Sequence, residues 1–127
     1  MFKISPIQNI EEQKKIAKIC LAEYKEGFFG YVMRECDSGE VMGFSQFEIN
    51  GDYGYISDLK PRADYSDTEA MFILGRATMN FIDTCGVHKC YADRNGADIK
   101  LLHAIGFKDE GDKLFSDMTD MFSGHCG

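Results

Sequence analysis

Residues 53–92, YGYISDLKPRADYSDTEAMFILGRATMNFIDTCGVHKCYA, decide the fold of this chain. Their pattern predicts a strand over Tyr53 to Leu59, a helix over Ser66 to Asp83 and a second strand over Val87 to Ala92. Gly86 is a suitable residue to follow the C-terminus of the helix, because glycine adopts the left-handed conformation needed there. Two strands joined by a helix indicate a parallel crossover.

Upstream of this unit, the sequence predicts an antiparallel meander. Strand-like runs at Tyr31 to Cys36 and at Val41 to Ile49 are separated by polar turn residues. Asn50-Gly51 then separates the second run from the strand that begins at Tyr53. Both residues tolerate positive φ, so this pair is a strong hairpin signal.

The two ends of the chain complete the pattern. A short strand over Phe2 to Ser5 is followed by a helix over about residues 9–24, whose first residues, Asn9 and Glu12, resemble a capping box. At the other end, the pattern predicts a helix over Ala97 to Ala104, which Gly106 ends, and a last strand over Leu114 to Phe122.

This element order predicts a single domain over residues 1–127 of α/β (α+β) class. Its centre is a mixed sheet of about six to seven strands, with three to four helices on the faces of the sheet.

Composition excludes several classes of function. The formal net charge of -7 argues against a nucleic-acid-binding protein, which needs basic patches. No apolar run approaches the roughly 18 residues of a membrane helix. The five cysteines are scattered and no signal peptide precedes them, so we expect reduced thiols and a cytoplasmic location.

Four spacings between Leu59 and Phe107 resemble the GNAT superfamily of acetyl-CoA-dependent N-acyltransferases. Leu59-Lys60-Pro61 stands where the family has Val-x-Pro, and Gly86 closes the next helix as in the family. Tyr91 and Asn95 resemble the residues at the end of the next strand in the family. The segment from Asn95 to Gly106-Phe107 matches the spacing of the family's Asn-x-x-Ala … Leu-Tyr-x-x-x-Gly-Phe.

The resemblance implies a GNAT-like fold and acetyl-CoA as co-substrate. In the family, the pantetheine arm pairs with the backbone of the strand that ends here at Leu59, Lys60 and Pro61. Lys60 and Arg62 are then candidates to reach a phosphate. The resemblance also assigns to the cofactor site Met71, at the end of the stretch that corresponds to the phosphate loop, and Asn95.

The segment that corresponds to the family's phosphate loop has a different sequence in this chain. The family has Arg-Gly-x-Gly-x-Gly/Ala where this chain has Ser66-Asp67-Thr68-Glu69-Ala70-Met71. Ser66 and Glu69 instead match a capping box, which would use the N–H groups that a phosphate needs. Asp64, Asp67 and Glu69 add negative charge that stabilises a helix N-terminus and repels a phosphate.

The catalytic candidates follow from what amine acylation requires, which is a base for the amine and an acid for the leaving thiolate. Asp58, on the central strand, is the candidate base or cation-binding group, and Glu48 across the hairpin is a second carboxylate. Leu102 stands where the family often has the Tyr that acts as the catalytic acid. His103 beside it is therefore the candidate acid in this chain. The other phenols considered are Tyr91 and Tyr65.

Two functions are therefore consistent with the sequence. The first is an acyl-CoA-dependent N-acyltransferase that moves an acetyl group to a small amine or amino group, which attacks the thioester directly. The alternative is a catalytically inactive GNAT-fold protein that binds a ligand or a protein partner. A homodimer is possible in either case. Residues 85–90 hold two Cys and one His, which is too few for a complete zinc site, so no metal is expected.

Overall fold

The computed structural model describes residues 1–119 and 121–122 of the chain. In this part the chain forms seven strands and three helices. They are β1 (Phe2–Pro6), α1 (Ile10–Ile19), β2 (Phe29–Glu35), β3 (Val41–Asn50), β4 (Tyr53–Pro61), α2 (Thr68–Thr84), β5 (Lys89–Ala92), α3 (Ile99–Ile105), β6 (Lys108–Glu110) and β7 (Lys113–Asp117). The strands form one mixed sheet in the order β1-β2-β3-β4-β5-β7-β6.

The predicted parallel crossover is confirmed. β4 and β5 lie side by side and parallel, with Gly54 opposite Cys90 and Ile56 opposite Ala92, and α2 connects them. Gly54 lets the helix approach closely, because a Cβ there would lie 2.7 Å from a methyl group of Ile82. All other neighbouring strands in the sheet are antiparallel.

Each face of the sheet carries its own apolar core. The larger core lies between the sheet and helices α2 and α3, and includes Phe47, Leu74 and Ile105. The smaller core lies under α1 and includes Ile16, Val32 and Phe44. β4 therefore runs through the middle of the domain with side chains directed to both faces.

The turns predicted from glycine are confirmed. Asn50 pairs with Tyr53 across the β3–β4 hairpin, and Gly51 has φ +64°. Gly86 and Gly106 follow α2 and α3 with φ values of +91° and +130°.

The first helix and the last strand differ from prediction. α1 ends at Ile19 instead of near residue 24, because Leu21 adopts φ +57° and the Ala22 N–H turns back to the Ala17 carbonyl at 2.8 Å. At the C-terminal end, β7 spans Lys113–Asp117, so it ends before the predicted C-terminus at Phe122, and residue 120 lies outside the described residues.

The sequence pattern missed β6. This short strand pairs with β7 through a turn at Gly111, which has φ +65°. All three of its residues are exposed, so it carries no apolar alternation from which it could have been predicted.

Candidate functional site

The site is built around the point where β4 and β5 separate. Their parallel ladder ends at Ile56 and Ala92, after which the Asp93 N–H donates to the Ile56 carbonyl at 3.1 Å. A register shift in the β3–β4 ladder leaves Ser57 without a partner residue in β3. Beyond this irregularity β4 continues to Pro61, while the chain after β5 turns into a loop of residues 93–98.

This loop returns to the edge of β4. The backbone N–H of Leu59 donates to the Gly96 carbonyl at 2.8 Å. Gly96 is buried, and a Cβ at this position would lie 1.9 Å from the Ser57 carbonyl oxygen. Only glycine therefore lets the loop backbone lie this close to the strand.

The loop thus uses a hydrogen-bonding group that the predicted cofactor site needs. The resemblance assigned the Leu59 backbone to the pantetheine arm, and its N–H is already bonded to Gly96. Asn95, the other cofactor candidate here, is exposed, and its N–H donates to the Asp93 carboxylate at 2.9 Å. In this conformation the edge of β4 is closed by the chain's own backbone.

The start of α2 differs from prediction in its capping residue. Ser66 was expected at the N-cap, but the helix begins at Thr68 and the N-cap is Asp67, whose Oδ1 accepts from the Ala70 N–H at 3.0 Å. Tyr65 donates its hydroxyl proton to the other carboxylate oxygen at 3.0 Å. These two donors hold the pKa of the Asp67 carboxyl below its usual value. A tyrosine hydroxyl fixes the carboxylate of Asp67, so this residue displaces Ser66 as the cap.

A cavity of only about 100 Å³ lies between the start of α2 and the end of β4. Its lining includes the two carboxylates of Asp67 and Asp98, and none of its lining residues is basic. Met71 also lines it, and this side chain is buried beneath the helix against Gly43.

Of the two expected phosphate-binding cations, Arg62 is already paired. Arg62 contacts the carboxylates of Glu40 at 3.0 Å and Asp64 at 3.1 Å. Lys60 and Pro61 are half-buried at the end of β4. A capped, acidic helix N-terminus with a neutralised arginine does not fit a pyrophosphate, which needs free N–H groups and positive charge.

Asp58 lies at the centre of a buried polar network. It is 4% exposed, and its Oδ2 accepts from Ser57 Oγ at 2.9 Å, Gln46 Nε2 at 3.0 Å and Lys25 Nζ at 3.0 Å. The carboxylate predicted as a base or a cation-binding group therefore holds a cationic amine in this structure, namely the ammonium of Lys25.

Gln46 connects this network to the loop after α1. Its side-chain oxygen accepts from the Lys25 N–H and from Gln13 Nε2, each at 3.0 Å, and its Nε2 donates to the Glu23 carbonyl at 2.9 Å. Sequence reasoning missed both Gln46 and Lys25. A glutamine between Phe44 and Phe47 in β3 was the available signal, since a buried polar side chain is normally hydrogen-bonded.

His103 lies on the outer face of α3. Leu102 is fully buried, whereas the His103 side chain is 44% exposed and its Nε2 lies 3.2 Å from Asp109 Oδ1 on β6. His103 and Arg94 together hold the pKa of Asp109 below its usual value. The role of His103 as an acid stays a prediction.

A second, open cavity of about 650 Å³ lies over β4, β5 and the β6–β7 turn. Three tyrosines, three carboxylates and one lysine line it: Tyr53, Tyr55, Tyr91, Glu48, Glu110, Asp112 and Lys113. The Tyr55 hydroxyl donates to Asp93 Oδ2 at 3.1 Å. Partial burial, together with the Asp93 carboxylate, raises the pKa of Tyr55 to about 12. Of the two other phenols considered, Tyr91 lines this cavity and Tyr65 does not.

The described residues contain no group of three or more His, Cys, Asp and Glu side chains that could hold a metal ion. Cys90 faces the core, where burial raises the pKa of its thiol, while Cys85 is exposed and His88 contacts Asp83. In the same part of the chain, no helix has the length and apolar character that membrane crossing requires.

No family model and no curated protein sequence matches the chain. Solved structures do match its fold. One is ribosomal-protein-S18-alanine N-acetyltransferase from Escherichia coli, with a TM-score of 0.69 at 15% identity over 91% of each chain. Another is the IAA acetyltransferase from Bacillus cereus, with a TM-score of 0.69 at 16% identity over 87% of this chain and 79% of that one.

A third match has its cofactor bound. It is PaiA N-acetyltransferase from Thermoplasma acidophilum in complex with coenzyme A, with a TM-score of 0.65 at 12% identity over 89% of this chain and 96% of that one. At these identities the likeness concerns the fold alone.

Proposed function

We propose that this chain, which has the fold of the GNAT N-acetyltransferases, is a ligand-binding domain that does not transfer acyl groups from CoA. The observation that carries the proposal is the hydrogen bond from the Leu59 N–H to the Gly96 carbonyl. It closes the edge of β4 to which the resemblance assigns the pantetheine arm.

Two further contacts support the proposal at the other parts of the same site. Asp67 caps α2 and places a carboxylate where a pyrophosphate would need positive charge. The Lys25 ammonium donates to the Asp58 carboxylate, which is the group expected to bind or deprotonate an incoming amine. Groups of the chain itself therefore fill or block parts of the positions that the resemblance assigns to the pantetheine arm, the phosphates and the acceptor.

Calorimetry with CoA and with acetyl-CoA tests this proposal. We expect no binding heat at millimolar ligand, and no shift of the unfolding temperature, because a ligand that binds only the folded state would raise it. Saturable binding of either ligand at millimolar concentration or below would overturn the proposal, since acyl-CoA would then enter despite the closed loop.

An N-acyltransferase acting on a small amine is the second candidate. The observation that favours it is the 3.0 Å contact between Lys25 Nζ and Asp58, because it places an amine on a carboxylate next to Leu59. This function requires the loop of residues 93–98 to leave β4. Its test is acetyl-CoA turnover with a panel of amines, followed by chromatography instead of a thiol reagent, because Cys36 and Cys85 are exposed and would react. Peptide mass mapping would also reveal acetylation of Lys25.

A further inference from the structure

The open cavity has aromatic walls and an acidic rim. Tyr53 and Tyr91 stand edge to face, with ring centroids 5.5 Å apart and an interplanar angle of 89°. Tyr91 in turn packs on Phe115 at 5.0 Å, and Tyr55 contacts Phe28 at 6.4 Å. The rings are thus held in place by each other, by Phe115 on β7 and by Phe28 in the segment before β2.

The hydroxyl of Tyr55 is committed to Asp93, so the part of this residue that remains available to a ligand is the face of its ring. An aromatic face attracts cations because its electron density carries partial negative charge. Glu48, Glu110 and Asp112 lie around the same cavity, so its lining carries three negative charges against the single positive charge of Lys113.

Lys113 shows how the cavity receives a cation. Its Nζ lies 5.4 Å from the centroid of the Tyr55 ring. This residue is exposed and lies at the start of β7, so its ammonium can leave without disturbing the core. An ammonium group of the chain therefore already occupies the position over the ring that a ligand cation would take.

We propose that this cavity binds an organic ammonium ion, seated on the Tyr55 ring beside Glu48 in place of the Lys113 ammonium. The alkyl part of the ligand packs against the exposed surfaces of Tyr53 and Tyr91, and the acidic rim retains the charge. This inference rests on the proposed function and names the chemical class of its ligand. A neutral molecule of the same shape gains nothing from the acidic rim or from the aromatic face, so the cavity discriminates by charge.

The experiment titrates the protein with tetramethylammonium chloride at constant ionic strength and follows the tyrosine ring signals by NMR. The chain contains six Tyr and no Trp, so tyrosine fluorescence gives an independent readout. We expect saturable shifts confined to Tyr53, Tyr55 and Tyr91. The neutral analogue tert-butanol should produce none of them.

Two variants make the test specific. Lys113→Met removes the competing ammonium and should tighten binding by about 2- to 5-fold, the range expected for one exposed cation–π contact. Glu48→Gln should weaken binding by a similar factor. The matched control is Lys14→Met, because Lys14 lies 5.5 Å from the centroid of the Tyr24 ring outside the cavity. This variant should bind tetramethylammonium as the parent does.

The proposal is overturned if the shifts do not saturate or if tert-butanol reproduces them. It is also overturned if Lys113→Met and Lys14→Met bind tetramethylammonium with equal affinity. Each of these outcomes leaves the calorimetry with acetyl-CoA unaffected. Conversely, binding of acetyl-CoA in the calorimeter would overturn the proposed function, whereas the titration with tetramethylammonium alone decides the ammonium site, so the two failures can be told apart.

Discussion

The backbone N–H of Leu59 donates to the carbonyl oxygen of Gly96 at 2.8 Å, across the gap that opens where β4 and β5 stop pairing. The bond joins the last part of β4 to a loop that lies more than thirty residues further along the chain. Because a Cβ on Gly96 would lie 1.9 Å from the Ser57 carbonyl, the contact depends on glycine at this position.

Gly96→Ala is therefore expected to push the loop of residues 93–98 away from β4. The added methyl group meets backbone, which cannot move aside as a side chain can, so we expect a loss of about 1–3 kcal/mol in the free energy of unfolding. Hydrogen exchange measures the local effect directly, because the Leu59 amide should lose its protection.

Gly43→Ala is the matched control for this change. A Cβ on Gly43 would lie nearest to the side-chain atoms Met71 Sδ at 3.1 Å and Leu74 Cδ2 at 3.2 Å, while the Lys60 carbonyl oxygen would lie at an ordinary contact distance of 3.6 Å. Flexible side-chain ends can shift by a few tenths of an ångström, so the loss of stability should be smaller and the Leu59 amide should stay protected. Equal losses of stability and of Leu59 amide protection in the two variants would contradict the role assigned to Gly96.

The cap of α2 gives a prediction about pH. The pKa of Asp67 is lowered by the Ala70 amide and the Tyr65 hydroxyl, so its ionised form stabilises the fold. This stability is present above the carboxyl's unfolded-state pKa and is lost as the pH falls through the lower, folded-state pKa. Asp67→Ala should lower the unfolding temperature at pH 7 by on the order of 4 °C, and this difference should shrink in acid.

Ser66→Ala is the informative companion to that variant. Ser66 would have been the cap on sequence grounds, but the structure assigns the cap to Asp67. We therefore expect the unfolding temperature of Ser66→Ala to match that of the parent, as measured by calorimetry. A larger loss for Ser66→Ala than for Asp67→Ala would reverse the assignment.

The network around Asp58 predicts a definite ranking of two substitutions. Asp58→Ala removes the acceptor of three donors from a buried site, and should cost about 2–3 kcal/mol in the free energy of unfolding. Lys25→Ala should cost at most about 1 kcal/mol, because the Lys25 side chain is 38% exposed and solvent screens the pair. Urea denaturation measures both, and a greater loss for Lys25→Ala would show that the ammonium dominates the network.

Tyr55 gives a second prediction about pH, in which stability is lost as the pH rises instead of as it falls. Its pKa of about 12 lies above the usual value near 10, so the neutral phenol is favoured in the folded state. The associated stability is complete below about pH 10 and is lost as the pH rises through 12. Asp93→Asn should lower the pKa of Tyr55. NMR of the ring carbon that bears the hydroxyl can follow this pKa. Asp52→Asn, in the exposed β3–β4 turn, should leave that pKa unchanged.

The sequence by itself determined the architecture of this protein. Apolar spacing and the positions of glycines predicted the meander, the crossover through α2 and the turns at Gly51, Gly86 and Gly106, because these signals are local. The same reasoning missed β6, which has no apolar alternation, and extended α1 past the residue whose positive φ ends it. The family resemblance, and not local spacing, aligned the acidic stretch at the start of α2 with a phosphate loop.

Only the tertiary structure decided how the site is filled. Leu59 and Gly96, Asp58 and Lys25, and Tyr55 and Lys113 are each separated by more than thirty residues. No local pattern relates the members of these pairs. Their contacts arise where the sheet brings distant segments together, so the closed edge of β4 and the tyrosine cavity could be found only in the folded chain.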